Sequence, residues 1–445
     1  MLEAARHPKI HLITNAELKE VTGFIGNFKV TVTKKPRYVL STGPKACTGC
    51  GSCRDVCPVS YPNWFNQGFS PRKAIDIAFA QAVPTIYDIN IDKCIKCYNC
   101  VDVCEVGSID FSQEPEDITL DIGIIIVATG WDIYTSDQYG YGEYTNVINQ
   151  LELERLLAPN GPTGGHVIRP SDHKTPKKVV MIQCVGSRDC AHNEHCSAVC
   201  CLVAIKNAKL LKSEYPDIDV TICYIDIRAP GKDYEEYYRR AREFGISFIK
   251  GKVARVEEDP MTKNLYCYVE DITGNRHITL EADMVVLSSA AIPTVGTEKV
   301  AEILKLERGS DGYFRGFHAR LDPISTKVPG IFIAGFAHGP KAIEYAVSQA
   351  KGAASSANLL LQSGKYVIEL IRAVVDLDRC SRCGECIEVC PYNALSFNEH
   401  GELVVSEVAC RGCGTCAATC RSNSITLRYY RDEQFESYID ALLET

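Results

Sequence analysis

The chain has 445 residues, of which 46% are hydrophobic and 23% charged, and its formal net charge is −8. This composition is typical of a globular protein with several domains, and the negative charge argues against nucleic acid as a partner. The first residues lack the apolar core of a signal sequence, and the longest apolar run, residues 122–128, is too short to span a bilayer. We therefore expect a cytoplasmic protein whose 23 cysteines serve metal or redox chemistry rather than disulfides.

Residues 10–33 are predicted to form short strands with turns at Gly23 and Gly26. After them comes the first of four cysteine runs with the spacing C-x2-C-x2-C-x3-C, which is typical of bacterial-type ferredoxins. In this arrangement three thiolates surround one cubane, and backbone N–H groups of the loop are directed at its sulphurs. We expect the fourth cysteine to begin the following helix and to bind the cluster of the neighbouring run.

Two ferredoxin modules follow from this spacing, each holding two [4Fe–4S] clusters. Zinc is the alternative, but zinc ribbons separate their cysteine pairs by longer stretches. The usual proline after the last cysteine is kept at Pro58 and Pro391 and replaced by Glu105 and Arg421. The predicted ligand sets are Cys47, Cys50, Cys53 and Cys104; Cys94, Cys97, Cys100 and Cys57; Cys380, Cys383, Cys386 and Cys420; and Cys410, Cys413, Cys416 and Cys390.

The first module carries a long insertion at residues 59–93, which contains Trp64 and Phe65. Two interpretations stay open for this segment. It is either a packed surface loop or a docking surface for a partner.

Two apolar segments, residues 121–130 and 330–335, are predicted to be buried strands that end in glycine turns, and the second leads into a helix over 342–362. A strand, a glycine turn and a helix N-terminus together favour binding of an electron-rich carbonyl or an anion. These pieces resemble the second half of a two-dinucleotide-fold flavoprotein of the thioredoxin-reductase type, where both strands border FAD. The FAD contacts that this resemblance implies are Thr129, Gly130, Gly335, Glu344, Ser348 and Gln349.

The G-x-G-x-x-G loop of that fold, whose glycines let the backbone approach a pyrophosphate, does not occur in the sequence. Gly140 and Gly142 lack the third glycine, and residues 161–165 lie in a polar loop. We therefore expect that either a second polypeptide supplies the first strand and the phosphate loop of the FAD domain, or this chain alone does not hold flavin tightly.

The central segment, about 176–290, alternates strands and helices. A relative of the thioredoxin-reductase type would bind NAD(P)H here through a glycine loop, but the sequence has residues 184–190, CVGSRDC, at that position. Nicotinamide binding is therefore disfavoured. The expected strands are 177–183, 220–227, 246–249, 266–269 and 284–288, and the expected helices are 197–213 and 234–244.

Five cysteines lie within eighteen residues of this segment: Cys184, Cys190, Cys196, Cys200 and Cys201. Adjacent thiolates at the start of a helix can both reach a metal cluster, and the positive end of the helix lowers their pKa values. The alternative is that they are small buried apolar residues, as we expect for Cys223 and Cys267 in strands. So dense a set favours a ligand role.

The sequence CVGSRD followed by C-x3-CC-x3-IK resembles the A subunit of heterodisulfide reductase from anaerobic archaea. The resemblance implies that Cys184, Cys196, Cys200 and Cys201 bind a non-standard cluster and that Lys206 lies near flavin N5. Cys190 is then a spare or competing ligand, and His192 and His195 are further candidates. His338 is interpreted as structural or as a residue at the flavin edge. The resemblance covers nearly the whole chain, except that the N-terminal cluster domain of that family and its G-x-G-x-x-G strand are missing from this sequence.

The predicted fold is α/β: an incomplete thioredoxin-reductase-like two-dinucleotide fold with one inserted and one C-terminal 2[4Fe–4S] ferredoxin domain. The predicted divisions are an FAD-domain segment at 1–36, the inserted ferredoxin at 37–115, an FAD-domain segment and linker at 116–175, the central domain at 176–290, an FAD-domain segment at 291–365 and the C-terminal ferredoxin at 366–445.

The resemblance further implies a bifurcating or confurcating electron-transfer protein with five [4Fe–4S] clusters and FAD. Its implied partners are the heterodisulfide reductase B and C subunits, a hydrogenase or formate dehydrogenase component through which electrons enter, and soluble ferredoxin, within a dimer of multi-subunit complexes. Two other functions stay open: a flavin-free polyferredoxin wire, and an NAD(P)H oxidoreductase of the glutamate-synthase small-subunit type.

Overall fold

The computed structural model describes residues 2–79 and 81–443 and contains both helices and strands. The helices are α1 Leu2–Arg6, α2 Ser52–Asp55, α3 Asn99–Asp102, α4 Gln150–Leu157, α5 Cys200–Glu214, α6 Tyr234–Glu243, α7 Thr297–Leu304, α8 Ile343–Ser363, α9 Glu385–Glu388, α10 Thr415–Thr419 and α11 Asp432–Leu443, with 3-10 turns at Gln138–Gly140 and Gly335–His338. The strands are β1 Ala16–Phe24, β2 Asn27–Lys34, β3 Ser60–Pro62, β4 Pro71–Lys73, β5 Ile75–Asp76, β6 Asp88–Ile89, β7 Glu116–Ile122, β8 Ile125–Val127, β9 Trp131–Ile133, β10 Val147–Asn149, β11 Lys178–Val185, β12 Asp219–Tyr224, β13 Ser247–Lys250, β14 Val253–Glu258, β15 Leu265–Asp271, β16 Arg276–Ala282, β17 Met284–Ser289, β18 Ala291–Pro293, β19 Ile331–Ile333, β20 Ala373–Val375, β21 Leu395–Phe397, β22 Leu403–Val405 and β23 Ile425–Leu427.

The chain divides into two compact units, each built from several segments. Unit 1 comprises Met1–Glu17, Val32–Ile118 and Ile133–Ile292, and unit 2 comprises Leu18–Thr31, Thr119–Asp132 and Pro293–Thr445. Each unit contains one of the two ferredoxin modules.

The core of unit 1 is a five-stranded parallel sheet in the order β10-β17-β11-β12-β13. Its central strand, β11, is apolar along most of its length because both of its faces are covered. On one face Val179 and Met181 pack with residues of α4 and α5, and on the other face Val180 and Ile182 pack with the antiparallel sheet β14-β15-β16. This burial on both sides explains the apolar sequence that predicted a strand here.

All the strands and helices predicted for the central segment are present, with ends that differ by a few residues. The structure adds β14 and β16, which were not predicted from the sequence, and it adds β10, which lies before residue 176 and pairs with β17. Helix α4 follows β10 directly and starts at a capping box, in which Asn149 accepts from the backbone N–H of Glu152 at 2.9 Å and the Glu152 carboxylate accepts from Asn149 N. Such a cap stabilises a helix by about 1 kcal/mol.

The insertion in the first module is only partly a packed loop. Phe65 stacks on Phe79 with ring centroids 4.3 Å apart, and the Arg155 guanidinium lies 4.6 Å from the Phe65 ring. Trp64 is different, since 61% of its surface is exposed. The packed-loop interpretation therefore fits Phe65, and the docking interpretation stays a prediction for Trp64.

In unit 2 the predicted strand over 121–130 is interrupted, so that β7 ends at Ile122 and β8 begins at Ile125. A Cβ at Gly123 would lie 2.8 Å from the Leu361 side chain, and the Gly123 carbonyl accepts from Gly26 N at 2.9 Å instead of continuing a ladder. Strand β8 pairs in parallel with β19, which leads through a 3-10 turn towards α8. In the described residues, no helix has both the length and the apolar content needed to cross a bilayer.

Candidate functional site

Each cysteine run folds into a tight loop and one short helix, and the third cysteine of the run lies in that helix. The helices α2, α3, α9 and α10 each follow a residue with left-handed backbone, such as Gly51 (φ 94°) before α2. The fourth cysteine comes at or after the end of the helix, as Cys57 does after Asp55. The expectation that the fourth cysteine begins a helix is therefore wrong: the helix is needed earlier, because it turns the third thiol back towards the first two.

In the first module, one small cavity is lined by Cys47, Cys50, Cys53 and Cys104. This set contains three thiols of the first run and the fourth thiol of the second run, as the ferredoxin pattern predicts. The other predicted set of this module is also close together, since the charges of Cys94, Cys97 and Cys57 all raise the pKa of the Cys100 thiol.

The C-terminal module repeats the arrangement. One cavity is lined by Cys390, Cys410, Cys413 and Cys416 among others. In the second group the Cys386 thiol is affected by the charges of Cys383, Cys380 and Cys420. The structure thus gathers all sixteen ferredoxin cysteines into the four predicted groups.

The third thiol of each run is hard to ionise without a cation beside it, because burial raises its pKa. Burial, reinforced by the charge of Cys47, raises the pKa of Cys53 to about 12. Burial likewise raises the pKa of Cys100 and of Cys416 to about 11, with neighbouring thiolates adding to the effect. A bound metal cluster removes this penalty, because its iron ions compensate the thiolate charge and release the protons.

Backbone amides supply hydrogen bonds to several of these sulphurs, as the loop geometry predicted. Such bonds stabilise thiolate charge and help to set the reduction potential of a cluster. The donor and acceptor pairs are Gly49 N to Cys47 Sγ (3.4 Å), Lys96 N to Cys94 Sγ (3.4 Å), Ser108 N to Cys104 Sγ (3.2 Å), Ala394 N to Cys390 Sγ (3.3 Å) and Ala373 N to Cys410 Sγ (3.4 Å).

Across residues 2–79 and 81–443, no group of three or more His, Cys, Asp or Glu side chains is arranged to hold a single metal ion. In two of the ferredoxin groups the four thiols instead line a small cavity. In a four-iron cubane each thiolate binds a different iron, so its ligands stand further apart than those of one zinc ion. The two thiol-lined cavities fit a cluster.

The cysteines of the central segment lie at the carboxyl end of β11 and at the start of α5. Cys184 has left-handed backbone (φ 60°) within β11, where the register with β17 shifts between Ile182 and Val185, and Cys200 and Cys201 are the first two residues of α5. Burial and the charge of Cys201 raise the pKa of Cys184 to about 11, with Cys196 adding to the effect. The structure therefore brings the four predicted ligands of the non-standard cluster together.

Cys200 and Cys201 share a hydrogen bond between their thiols. This bond raises the pKa of Cys200 and lowers the pKa of Cys201 to about 7. Binding to iron needs both sulphurs deprotonated, and the charge of the iron would compensate the charge of the two adjacent thiolates.

The other candidates for this cluster have different surroundings. Cys190 is exposed, His192 pairs with Asp189 at 3.2 Å, and the His195 ring lies 2.8 Å from the Ala291 carbonyl. Cys223 and Cys267 are buried in strands, where burial raises the pKa of both thiols, as expected for structural cysteines.

The predicted flavin residues lie in unit 2, where Thr129–Gly130 follows β8 and Gly335 follows β19. Because these two strands run in parallel, both turns lie at the same edge of the pair. Gln349 of α8 accepts from Gly335 N at 2.9 Å and so ties the turn to the helix. Two other residues near the start of α8, Glu344 and Ser348, are linked by a bond from the Ser348 hydroxyl to the Glu344 carbonyl at 2.8 Å.

A half-buried lysine holds the same turn and was not identified from the sequence. Lys341 Nζ donates to the carbonyls of Gly335 and Gly339, both at 2.6 Å, and burial lowers the pKa of Lys341 to about 8. His338 Nδ1 lies 3.0 Å from Gln349 Nε2, which supports a structural role for this histidine. No pattern in the sequence marks Lys341, because its partners are backbone carbonyls of a loop.

Lys206 lies on α5 in unit 1 and forms an ion pair with Glu154 of α4, with its side chain partly exposed. The structure therefore gives Lys206 a partner within its own unit. Its placement near flavin N5 stays a prediction.

Comparisons with known proteins identify the modules first. Residues 46–109 match the family model described as a 4Fe-4S dicluster domain, and residues 373–396 and 409–427 match models described as 4Fe-4S binding domains. The chain is also similar to the solved structure of thioredoxin reductase from T. acidophilum, with a TM-score of 0.37 and 19% identity over 57% of this chain and 69% of that one. The predicted α/β fold with two ferredoxin domains is confirmed by the sheets and by these module matches.

Similarity to curated proteins extends over the whole chain. The chain is 53% identical to the iron-sulfur A subunit of the CoB--CoM heterodisulfide reductase of Methanocaldococcus jannaschii, and the match covers 100% of this chain and 68% of that protein. It is 49% identical to the A subunit of the H(2)/formate:CoB-CoM heterodisulfide,ferredoxin reductase of Methanococcus maripaludis, again covering 100% of this chain and 68% of that protein. The chain therefore belongs to the family of heterodisulfide reductase iron–sulphur A subunits, which are components of oxidoreductases.

Proposed function

We propose that the chain carries FAD and five [4Fe–4S] clusters and serves as the electron-bifurcating or -confurcating component of a heterodisulfide reductase complex. The observation that carries the proposal is the combination of four cysteine groups, arranged in two separate ferredoxin modules, with a fifth cysteine group in the central domain. One module would be sufficient for a single electron path. Two modules and a further cluster fit a protein that divides electrons between acceptors.

The flavin is supported by the local chemistry of the turns in unit 2. The Thr129 hydroxyl is buried and has no hydrogen-bond partner in the described part of the chain, so a bound group there would satisfy it. Gly130, Gly335, Glu344, Ser348 and Gln349 would complete this chain's share of the site. When bound, FAD can accept electrons as a pair and pass them on singly.

The residues around this site fix its loop rather than react. Gln349 accepts a hydrogen bond from the amide of Gly335, and the half-buried amine of Lys341 donates to two carbonyls of the same loop. Such contacts orient a cofactor and adjust the electrostatics around it. We further propose that Lys206 supplies a proton or positive charge at flavin N5.

The partners follow from the names of the relatives, one of which is described as part of an H(2)/formate:CoB-CoM heterodisulfide,ferredoxin reductase. We propose that electrons enter from a hydrogenase- or formate-dehydrogenase-linked partner. One branch then leads to ferredoxin and the other to the disulfide-reducing B and C subunits. The two ferredoxin modules serve as separate entrances or exits.

The test is electron coupling in the native complex, purified without oxygen. With H2 or formate as donor, ferredoxin should be reduced only when the disulfide acceptor is also present, and equal numbers of electrons should reach the two acceptors. Reduction of ferredoxin at the same rate without the disulfide would overturn bifurcation.

Two variants make this coupling test specific to a cluster. Cys416→Ser removes a thiol that lines a cysteine cavity of the C-terminal module, so one branch should stop. Cys267→Ala changes a buried cysteine in β15 that is remote from the five groups in sequence, and coupling should persist. Equal behaviour of the two variants would contradict the assignment of Cys416.

A further inference from the structure

A set of buried polar side chains lies in the core of unit 1, on the face of the parallel sheet that α4 and α5 cover. Gln150 belongs to α4, Asn207 to α5, Ser288 to β17 and Gln183 to β11. Each is almost completely buried; Gln183, for example, is 6% exposed. Polar groups buried this deeply normally have hydrogen-bond partners, so each of them needs a physical explanation.

Three of the four side chains bond to one another. Asn207 Nδ2 donates to Gln150 Oε1 at 2.8 Å, and Gln150 Nε2 donates to Ser288 Oγ at 3.2 Å. Gln183 takes no part in this chain of bonds. In the described residues it is the side chain with two buried polar atoms, Nε2 and Oε1, that both lack a partner.

The position of Gln183 directs its amide towards the helix side of the sheet. Side chains alternate along a strand, and Val179 and Met181 pack into the core cluster that includes residues of α5. Gln183 is two residues further along the same strand, so it faces the same helix. The left-handed backbone that breaks the alternation comes only at the next residue, Cys184.

This part of the sheet is next to the fifth cysteine group. Gln183 directly precedes Cys184, and α5, which packs against β11, begins with Cys200 and Cys201. In a parallel α/β sheet, the carboxyl end of a strand and the N-terminus of the helix that follows it lie at the same edge. The unpartnered amide is therefore beneath the site where the fifth cluster is proposed.

We propose that the Gln183 carboxamide donates a hydrogen bond to a sulphur of the cluster held by Cys184, Cys196, Cys200 and Cys201, and that this bond raises the reduction potential of that cluster. Reduction adds negative charge to the cluster, and a donor aimed at its sulphur stabilises the reduced form more than the oxidised form. The oxygen and nitrogen of the Gln183 amide can be exchanged by a flip, and neither atom has a hydrogen-bond partner in the described residues. In both orientations the N–H2 group can therefore donate to the cluster. The inference rests on the proposed function, because it requires the fifth cluster.

Gln183 is therefore a positioning and tuning residue rather than a ligand. The competing explanation is an ordered water molecule in the polar space near Gln183 and Asn207, whose Oδ1 also lacks a partner in the described residues. The two explanations differ in whether the cluster senses a change at Gln183.

The test is a redox titration of the native complex, followed by electron paramagnetic resonance, for the wild type, Gln183→Leu and Gln150→Leu. Gln183→Leu removes the donor and should shift the midpoint potential of the fifth cluster to a lower value while the other clusters keep theirs. Gln150→Leu is the matched control: it breaks three hydrogen bonds, to Met181, Ser288 and Asn207, so it should lower stability and leave all midpoint potentials unchanged. Gln183→Met, which lacks the donor but keeps the length of the side chain, should reproduce the shift and serves where the leucine variant fails to assemble.

Two results would overturn the inference, and they are distinguishable. An unchanged potential in both Gln183 variants, with the fifth cluster present, means that Gln183 binds water only, and the proposed function stands. The second result is that the spectra of the wild type and of Cys200→Ser show the same set of cluster signals. The fifth cluster itself is then absent, and the cluster count of the proposed function fails as well.

Discussion

Cys200 and Cys223 are two buried cysteines of unit 1 for which the structure gives opposite expectations. Cys200 begins α5, and the charges of Cys201, Cys184 and Cys196 act on it. Cys223 lies within β12, where burial alone raises the pKa of its thiol to about 12. We expect Cys200→Ala to remove one cluster and Cys223→Ala to remove none.

The magnitude follows from the groups of four cysteines. Five groups bind about twenty irons, so the Cys200→Ala chain should retain about sixteen. Cys223→Ala should retain about twenty irons and lose about 1 kcal/mol of unfolding free energy, since it deletes one well-packed sulphur atom.

The assay is anaerobic reconstitution followed by measurement of iron and acid-labile sulphide per chain, with urea unfolding as the stability measurement. Cys190→Ala is a further control, because this cysteine is exposed and should leave the iron content unchanged. About twenty irons in Cys200→Ala, or a loss of about four irons in Cys223→Ala, would refute the assignment of the fifth group.

Two further predictions concern other parts of the chain. Burial lowers the pKa of Lys341 from 10.5 to about 8, so the folded protein releases this proton at a lower pH than the unfolded chain does. The difference in unfolding free energy between the wild type and Lys341→Met should therefore be constant below about pH 8 and should increase between about pH 8 and pH 10. Urea unfolding of both proteins at a series of pH values measures this difference. A difference that does not increase over this range would contradict the prediction. In the insertion, Phe65→Ala should cost about 2 kcal/mol, because it loses the aromatic stack and the contact with Arg155, whereas Trp64→Ala should change stability by less than about 0.5 kcal/mol. Equal losses of stability in the two variants would mean that Trp64 is also part of the packed core.

The cysteine groups could be predicted from the sequence because cluster binding depends on short local spacing. Three cysteines within seven residues can surround one cubane whatever the rest of the fold, and the position of the fourth follows from the symmetry of the module. The spacing does not fix backbone dihedral angles. The predicted position of the short helix was wrong for this reason: in the structure the helix follows a left-handed residue such as Gly51 and contains the third cysteine.

Other features depend on contacts that are distant in sequence and could not be predicted in this way. Lys341 acquires its role from hydrogen bonds to two loop carbonyls. The amide of Gln183 is buried and lacks a hydrogen-bond partner in the described residues, and only the folded structure shows this. The strand over 121–130 looked continuous, yet it is broken near Gly123, whose carbonyl accepts a hydrogen bond from Gly26 N. In each case the deciding atoms belong to another segment of the chain.

The central claim is that this chain holds five clusters and contributes to a flavin site. The most direct measurement is the content of iron, acid-labile sulphide and FAD per copy of the chain, isolated without oxygen and corrected for the metal and flavin that its partner subunits hold. The proposed function predicts about twenty irons, about twenty sulphides and about one FAD. A content of about sixteen irons would contradict the fifth cluster. The absence of flavin would mean that the protein only conducts single electrons.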